Sequence, residues 1–529
     1  MTESIQPTIA AYFARTVASR ENELALGYIR NGTLEWRTWQ EVAAAVVSLA
    51  AEIQAAGIAP GDRVAHVSEN RYEWIITDLA LHLAAAVHVP IHVTLSGQQI
   101  AEQIRDSGAK LVFVSNEDLL SRFATYLDKQ LSIRTHDDHR IAGELRLAGA
   151  PAKPQAITNI DCDRTIPTSL ATILYTSGTT GCPRGVMLSH ENLASNAAAV
   201  CEAHQVNADH TMLCILPLSH IYARTCDLYT WIVSGSRLVL AESRDTLLRD
   251  CELVQPTALN AVPFIYQRVM DGICNSTAID KRAALRATFG GRMETLFCGG
   301  APVAPNVENW YAAQGLPLLP GYGLTEASPV ITVTTRNARR LGTVGQAIPG
   351  IENCVAPDGE LLTRGPHVML GYWQNEPATA EVIRDGWLHT GDLADLAADG
   401  FLTIRGRKKE LIVLSTGKKV APTRVEALLT ASPLIDQVAV FGDGNCGLTA
   451  LIVPSKSEER AASREEVELE ITRCLAHAAH EEQIHRYTLL DRPFSIERGE
   501  LTAKLSLCRS VIARNFAAEL NANNRPSTS

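Results

Sequence analysis

From Asp62 to Ser115 the chain alternates short β-branched runs with stretches of helical period: DRVAHVS, YEWIITDLALHLAAA, VHVPIHV, SGQQIAEQIRDSGA and KLVFVS. A strand written as a continuous apolar run must bury both faces, and the intervening helices supply the cover, so the pattern predicts β-α units around a largely parallel sheet. It resumes at Ala171 (ATILY), Arg237 (RLVLAE), Ala258 (ALNAVP) and Glu294 (ETLFCGG). Between Gly342 and Ile404 the texture changes to short strands parted by Gly, Pro and Asp turns, which predicts a smaller antiparallel sheet or barrel.

Composition narrows the function classes. The 529 residues carry 48 Lys+Arg against 58 Asp+Glu, a net charge of -10, which argues against nucleic acid as the main partner because phosphate backbones need clustered cations. From Lys408 onward acidic and basic residues balance, so the whole imbalance belongs to residues 1–407. This predicts an acidic N-terminal domain over 1–407, its barrel-like part at about 342–404, and a neutral unit over 408–529 with a basic edge at Lys408, Lys409, Lys418 and Lys419. The 12 cysteines lie far apart with no C-x-x-C pair, as expected of dispersed thiols in a reducing cytoplasm. The N-terminus shows no basic-then-apolar leader pattern. The most apolar window, Ile75 to Leu95, is interrupted by Asp78, His82, His88 and Pro90, so no transmembrane segment is expected, and a peripheral membrane-surface position stays open.

The most informative stretch is Tyr175 to Leu193, YTSGTTGCPRGVMLSHENL. The strand ATILY runs into Thr176, Ser177, Gly178, Thr179, Thr180 and Gly181, with Arg184 as a fixed cation and a helix expected to begin near Ser189. Small residues let a backbone close around phosphates and the hydroxyls add donors. The patterns GxxxxGK[ST] and GxGxxG are absent, which weakens kinase-type and dinucleotide readings. Alone, such a loop is as readily a surface turn. It is followed in order by GGAP at Gly299, GYGLTEASP at Gly321, HTGDL at His389 and GRKKELIVLSTGKKVAP at Gly406.

With these five strings in this order the chain resembles the adenylate-forming superfamily of acyl-CoA synthetases, luciferases and adenylation domains, over nearly its whole length. Within it the chain is similar to bacterial long-chain fatty acyl-CoA ligases through GDRVAHVSENRYEW at Gly61, LPLSHIYAR at Leu216, QPTALNAVPFIYQRV at Gln255 and GRKKELIV at Gly406. The resemblance implies a large N-terminal domain of two α/β subdomains plus a distorted β-barrel, hinged to a small α+β C-terminal lid. It implies ATP and CoA as substrates, Mg²⁺ as cofactor and a fatty acid as the acyl donor, activated as acyl-AMP. Tyr322 would stack on adenine with Gly300, Ala301 and Pro302 on the opposite side. Thr325 and Glu326 supply oxygens suited to Mg²⁺, a hard ion. Asp392 would accept the ribose hydroxyls, Arg407 would donate to the ribose, Lys409 would be the hinge, and His220 would line the acyl and CoA side.

Two positions depart from the family pattern. Arg184 stands where a lysine is usual, keeping the charge but changing an ammonium into a planar fork. In GELTAKLSLCR the place of the catalytic lysine, four after Thr502, is Ser506; Lys504 lies two residues earlier, about 6.6 Å along an extended strand and on the same face. Lys504 is therefore expected to supply the cation. Three readings stand at this level: a fatty acyl-CoA ligase, an acyl-AMP ligase loading a carrier protein in trans, and a weakened acyl- or nucleotide-binding homologue. Lesser signals reduce to background: Ser415 to Lys418 matches S-x-x-K without companion motifs, His477, His480 and His485 read as a solvated face, and His136, Asp137, Asp138 and His139 read as a surface turn.

Overall fold

A computed structural model of the chain describes residues 8–128, 130–137, 140–141, 144–145, 160, 162, 164–176, 183–455, 462–495, 497–501 and 507–522. Two large sheets organise the N-terminal part. The first has seven strands in the order Gly371–Tyr372, Arg184–Ser189, Leu170–Thr176, Val87–Ile91, Arg63–Val67, Leu111–Val114 and Ser132–Thr135, parallel except for the first two. Its central strands are buried along their length, as their unbroken apolar runs require. The second has nine strands and a parallel centre built from Leu318–Gly323, Thr295–Cys298, Ala258–Ala261, Thr211–Cys214, Arg237–Leu240 and Leu24–Arg30. The N-terminal strand Leu24–Arg30 is thus tied to residues more than 200 positions away, a pairing for which the local pattern carries no signal.

The helix begins where expected, and the stretch before it, which the sequence left unassigned, is a strand, Arg184–Ser189, antiparallel to Leu170–Thr176 with Arg184 opposite Thr176. The run GVML is short enough to read either way; pairing with Leu170–Thr176 decides it. The helix follows directly as His190–His204, with Ser189 as N-cap in a reciprocal capping box with Asn192.

The expected barrel-like part is a five-stranded antiparallel sheet over 352–407 in which Trp387–Leu396 pairs with Leu402–Arg407 and sets Asp392 opposite Arg407. Beyond it, the strands Ile435–Phe441, Leu448–Pro454 and Ile484–Leu489 are covered by the helices Pro422–Leu429, Arg464–Cys474 and Arg509–Asn515, and bury two clusters drawn entirely from residues after 411. Where the chain passes into this part, Gly406 has φ +144° and packs so tightly that a Cβ would meet Thr423 and Ala421 at 3.0 and 3.2 Å. Among the described residues no helix is long and apolar enough to cross a membrane.

The polar interruptions of the apolar window are one buried network. Asp78 accepts from Arg224 and from His88, each at 2.6 Å, His66 bridges His88 at 3.2 Å and His136 at 3.0 Å, and His82 meets Tyr229 at 2.9 Å. His136 is therefore core, not surface turn, and Asp137 pairs with Arg71 at 2.9 Å; a polar tetrapeptide looks solvated until its partners, some 70 positions away, are known. Asp138 and His139 lie outside the described residues. His477, His480 and His485 are exposed, as expected.

Candidate active site

Parallel strands direct their C-terminal ends to one edge, where successive loops meet and ligands bind in α/β folds. Here those loops carry Gly299–Gly300 after Thr295–Cys298 and Leu324–Ala327 after Leu318–Gly323. Thr176, His220, Gly300, Tyr322, Thr325, Glu326 and Arg407, spread over more than 230 positions, line one cavity of about 310 Å³. A separate cavity of about 350 Å³, between helix His190–His204 and the 348–351 turn, contains none of them. Gly299 shows why this rim needs glycine: a Cβ there would stand 3.0 Å from the ring of Tyr222.

Two side-chain chains converge on the cavity. In the first, the Tyr322 hydroxyl donates to Asp392 Oδ2 at 2.5 Å and Arg407 Nε lies 2.9 Å from Asp392 Oδ1. Asp392 is almost fully buried; burial raises its pKa, opposed by the Arg407 charge and the Tyr322 hydrogen bond. Burial and the adjacent carboxylate together push the Tyr322 phenol well above its ordinary value, so it stays a neutral donor. In the second, the Tyr372 hydroxyl donates to Glu326 Oε1 at 2.9 Å, and the Arg184 guanidinium sits over the Tyr372 ring at 5.3 Å. Tyr372 had no motif to announce it; its place follows from strand Gly371–Tyr372 pairing with Arg184–Ser189.

His220 caps the turn Ile221–Ala223 by accepting from the Tyr222 N–H at 3.1 Å, and its ring lies nearly parallel to His92 at 6.2 Å. Ala301 and Pro302 are exposed and outside the cavity lining, so of the GGAP wall Gly299 and Gly300 reach it. Lys409 is exposed, 3.9 Å from Glu381, whereas its neighbour Lys408 binds Asp358 at 2.6 Å and Glu360 at 3.0 Å. Ser177, Gly178, Thr179, Thr180, Gly181, Lys504 and Ser506 lie outside the described residues. Among the described residues no three His, Cys, Asp or Glu are grouped to cage a metal ion. The Thr325 hydroxyl and the Glu326 carboxylate are hard oxygen donors at the cavity wall, and they fit an ion such as Mg²⁺ that takes one or two carboxylates and completes its shell with water and phosphate oxygens.

Residues 13–373 match the AMP-binding enzyme family, and residues 409–525 match the AMP-binding enzyme C-terminal domain. The chain belongs to the AMP-binding enzyme family. A long-chain-fatty-acid–CoA ligase, FadD15 of Mycobacterium bovis, is 32% identical over 92% of each chain. A feruloyl-CoA synthase of Amycolatopsis is 31% identical over 77% of this chain and 80% of its own. Among solved structures, ATP-bound MatB from Rhodopseudomonas palustris superposes with TM-score 0.79 at 25% identity, covering 96% of this chain and 99% of that one. The anthranilate CoA ligase AuaEII, solved with anthranoyl-AMP, shares the fold with TM-score 0.82 at 19% identity over 98% of both chains. Family and relatives together support an adenylate-forming acid–CoA ligase activity, and ATP and CoA are the substrates in keeping with the family.

Proposed function

We propose that the protein activates a fatty acid, with long-chain acids the first class to test, to acyl-AMP with release of pyrophosphate, and then transfers the acyl group to CoA. The observation that carries this reading is a single cavity with the Tyr322–Asp392–Arg407 and Glu326–Tyr372–Arg184 chains at its strand-end rim and apolar side chains below them. The name of the FadD15 relative supports the substrate class.

In the first half-reaction a carboxylate oxygen attacks the α-phosphorus of ATP and pyrophosphate leaves. Asp392 and Arg407 would hold ribose hydroxyls, one accepting and one donating, and the Tyr322 ring would stack on adenine. Arg184 and the 177–181 hydroxyls would bind phosphate oxygens. Lys504, from its place in GELTAKLSLCR, would bridge the two anions where negative charge builds; removing one such contact costs on the order of 10²- to 10³-fold. Mg²⁺, held by Glu326 with Thr325, would neutralise phosphate charge when bound. In the second half-reaction the CoA sulfur attacks the acyl carbonyl past His220 and AMP departs. Residues 1–407 and 408–529 would act as body and lid about Lys409. Dispersed free cysteines support a cytoplasmic setting.

Pyrophosphate exchange into ATP that depends on added fatty acid tests this function. No exchange across acids of 4 to 18 carbons, with folded protein that binds ATP, would reject it. Product analysis with CoA against a holo carrier protein separates the ligase from the carrier-loading reading.

A further inference from the structure

We infer that His204 and Phe297 form the end wall of the acyl slot and set the length of acid the enzyme accepts. The inference rests on the acyl-CoA ligase reading of the same cavity and narrows its acid from the long-chain class to about ten carbons, longer acids needing His204 to move. Leu319, Gly321 and Gly323 share one face of strand Leu318–Gly323 and all line the cavity, so it follows the strand from its C-terminal rim inward. Four residues of strand span roughly 13 Å. An extended chain advances about 1.2 Å per bond, from about 3.5 Å per three-bond residue, so the slot takes about ten chain atoms.

At the inner end the lining comes from side chains of separate elements. Phe297 belongs to strand Thr295–Cys298 and pairs with Leu319; His204 is the last residue of helix His190–His204 and lies one turn beyond Val200 on the same face. The two rings pack with centroids 4.5 Å apart, tilted by 55°. Burial holds the His204 imidazole down at about 4, so near neutral pH it presents an uncharged ring to an alkyl terminus. Phe297 is fixed in the sheet. His204 sits at a helix end, capped by Gln205 in the left-handed conformation, where a local opening disturbs least. An acid longer than about ten carbons reaches the adenylate end only by displacing His204. Such filtering needs no polar contact: each methylene that finds room multiplies kcat/KM by about fourfold, and the first that does not loses that gain.

The test measures kcat/KM for saturated acids of 4 to 18 carbons by pyrophosphate release in the wild type, His204→Ala and His204→Trp, with the KM for ATP followed in parallel to establish an intact nucleotide end. In the wild type the profile climbs to about ten carbons and falls beyond. In His204→Ala the maximum moves out by about two carbons and the 14-to-8-carbon ratio rises at least tenfold; in His204→Trp the maximum shortens. Acids activated with the same length profile in all three proteins would overturn the end-wall assignment, as would a wild-type maximum at 16 carbons. No acid activated by the wild type would instead overturn the ligase reading on which the assignment rests.

Discussion

Acidification from pH 7 to 5.5 is expected to remove roughly 5 kcal/mol of the stability of the N-terminal part. His66, His82, His88 and His190 are buried around Asp78 and Arg224. Burial holds His66 and His82 well below the ordinary imidazole value and brings His88 and His190 to about 4. For Asp78 burial works the other way, but the Arg224 charge and the His88 hydrogen bond outweigh it and hold the carboxyl far below the usual range, so it stays ionised through this window. The sign follows: a histidine whose folded pKa lies below its unfolded value near 6.5 binds its proton in the unfolded chain first, so stability is full above pH 6.5 and falls as pH drops towards 4. At pH 5.5 each of the four forfeits about 1.4 kcal/mol, together roughly 5–6 kcal/mol, against a typical total of about 5–15 kcal/mol. The check is urea unfolding between pH 7.5 and 5, read by tryptophan fluorescence; Trp74 stacks on His66 at 5.3 Å and reports on the network directly. Stability changing by less than about 1.4 kcal/mol over that range, the share of a single histidine, would refute the reasoning. Asp78→Asn should cost about 3–5 kcal/mol at pH 7, because Arg224, itself fully buried, loses its counter-charge.

At the site, Asp392→Asn removes the charge that would accept from the ribose hydroxyls, a contact worth about 1.5–3 kcal/mol, so the KM for ATP should rise roughly 10- to 100-fold; steady-state kinetics with varied ATP decide. Gly299→Ala drives a methyl against the Tyr222 ring at 3.0 Å and should lower kcat/KM for the acid more than for ATP, since Tyr222 is a wall of the shared cavity. Lys504→Ala should slow adenylation by about 10²- to 10³-fold and leave thioester formation from supplied acyl-AMP within a few fold; single-turnover assays of each half-reaction separate the two.

Much of the fold was legible because its signals are local. DRVAHVS became strand Arg63–Val67, KLVFVS became Leu111–Val114, and Ser189 capped its helix where expected. Five ordered motifs pointed to Tyr322, Glu326, Asp392 and Arg407, which the structure brings to one rim of the N-terminal part. The hairpin at Arg184–Ser189 was not legible, since a four-residue apolar run fits strand or helix until a partner strand arrives. Tyr372 and His204 carried no pattern either, because each acts through one contact made across the fold.

Short-range signals thus give the set of elements and the chemistry available at their ends: periods of two and 3.6 residues, caps, turns and glycine-rich strings all act within about fifteen positions. Which of those groups share a volume is a matter of long-range packing. Asp392 meets Tyr322 from 70 residues away, His136 meets His66 inside the core, and His204 closes on Phe297. Their charge states follow from burial and low dielectric, and the reach of the slot follows from packing; neither has a counterpart along the chain.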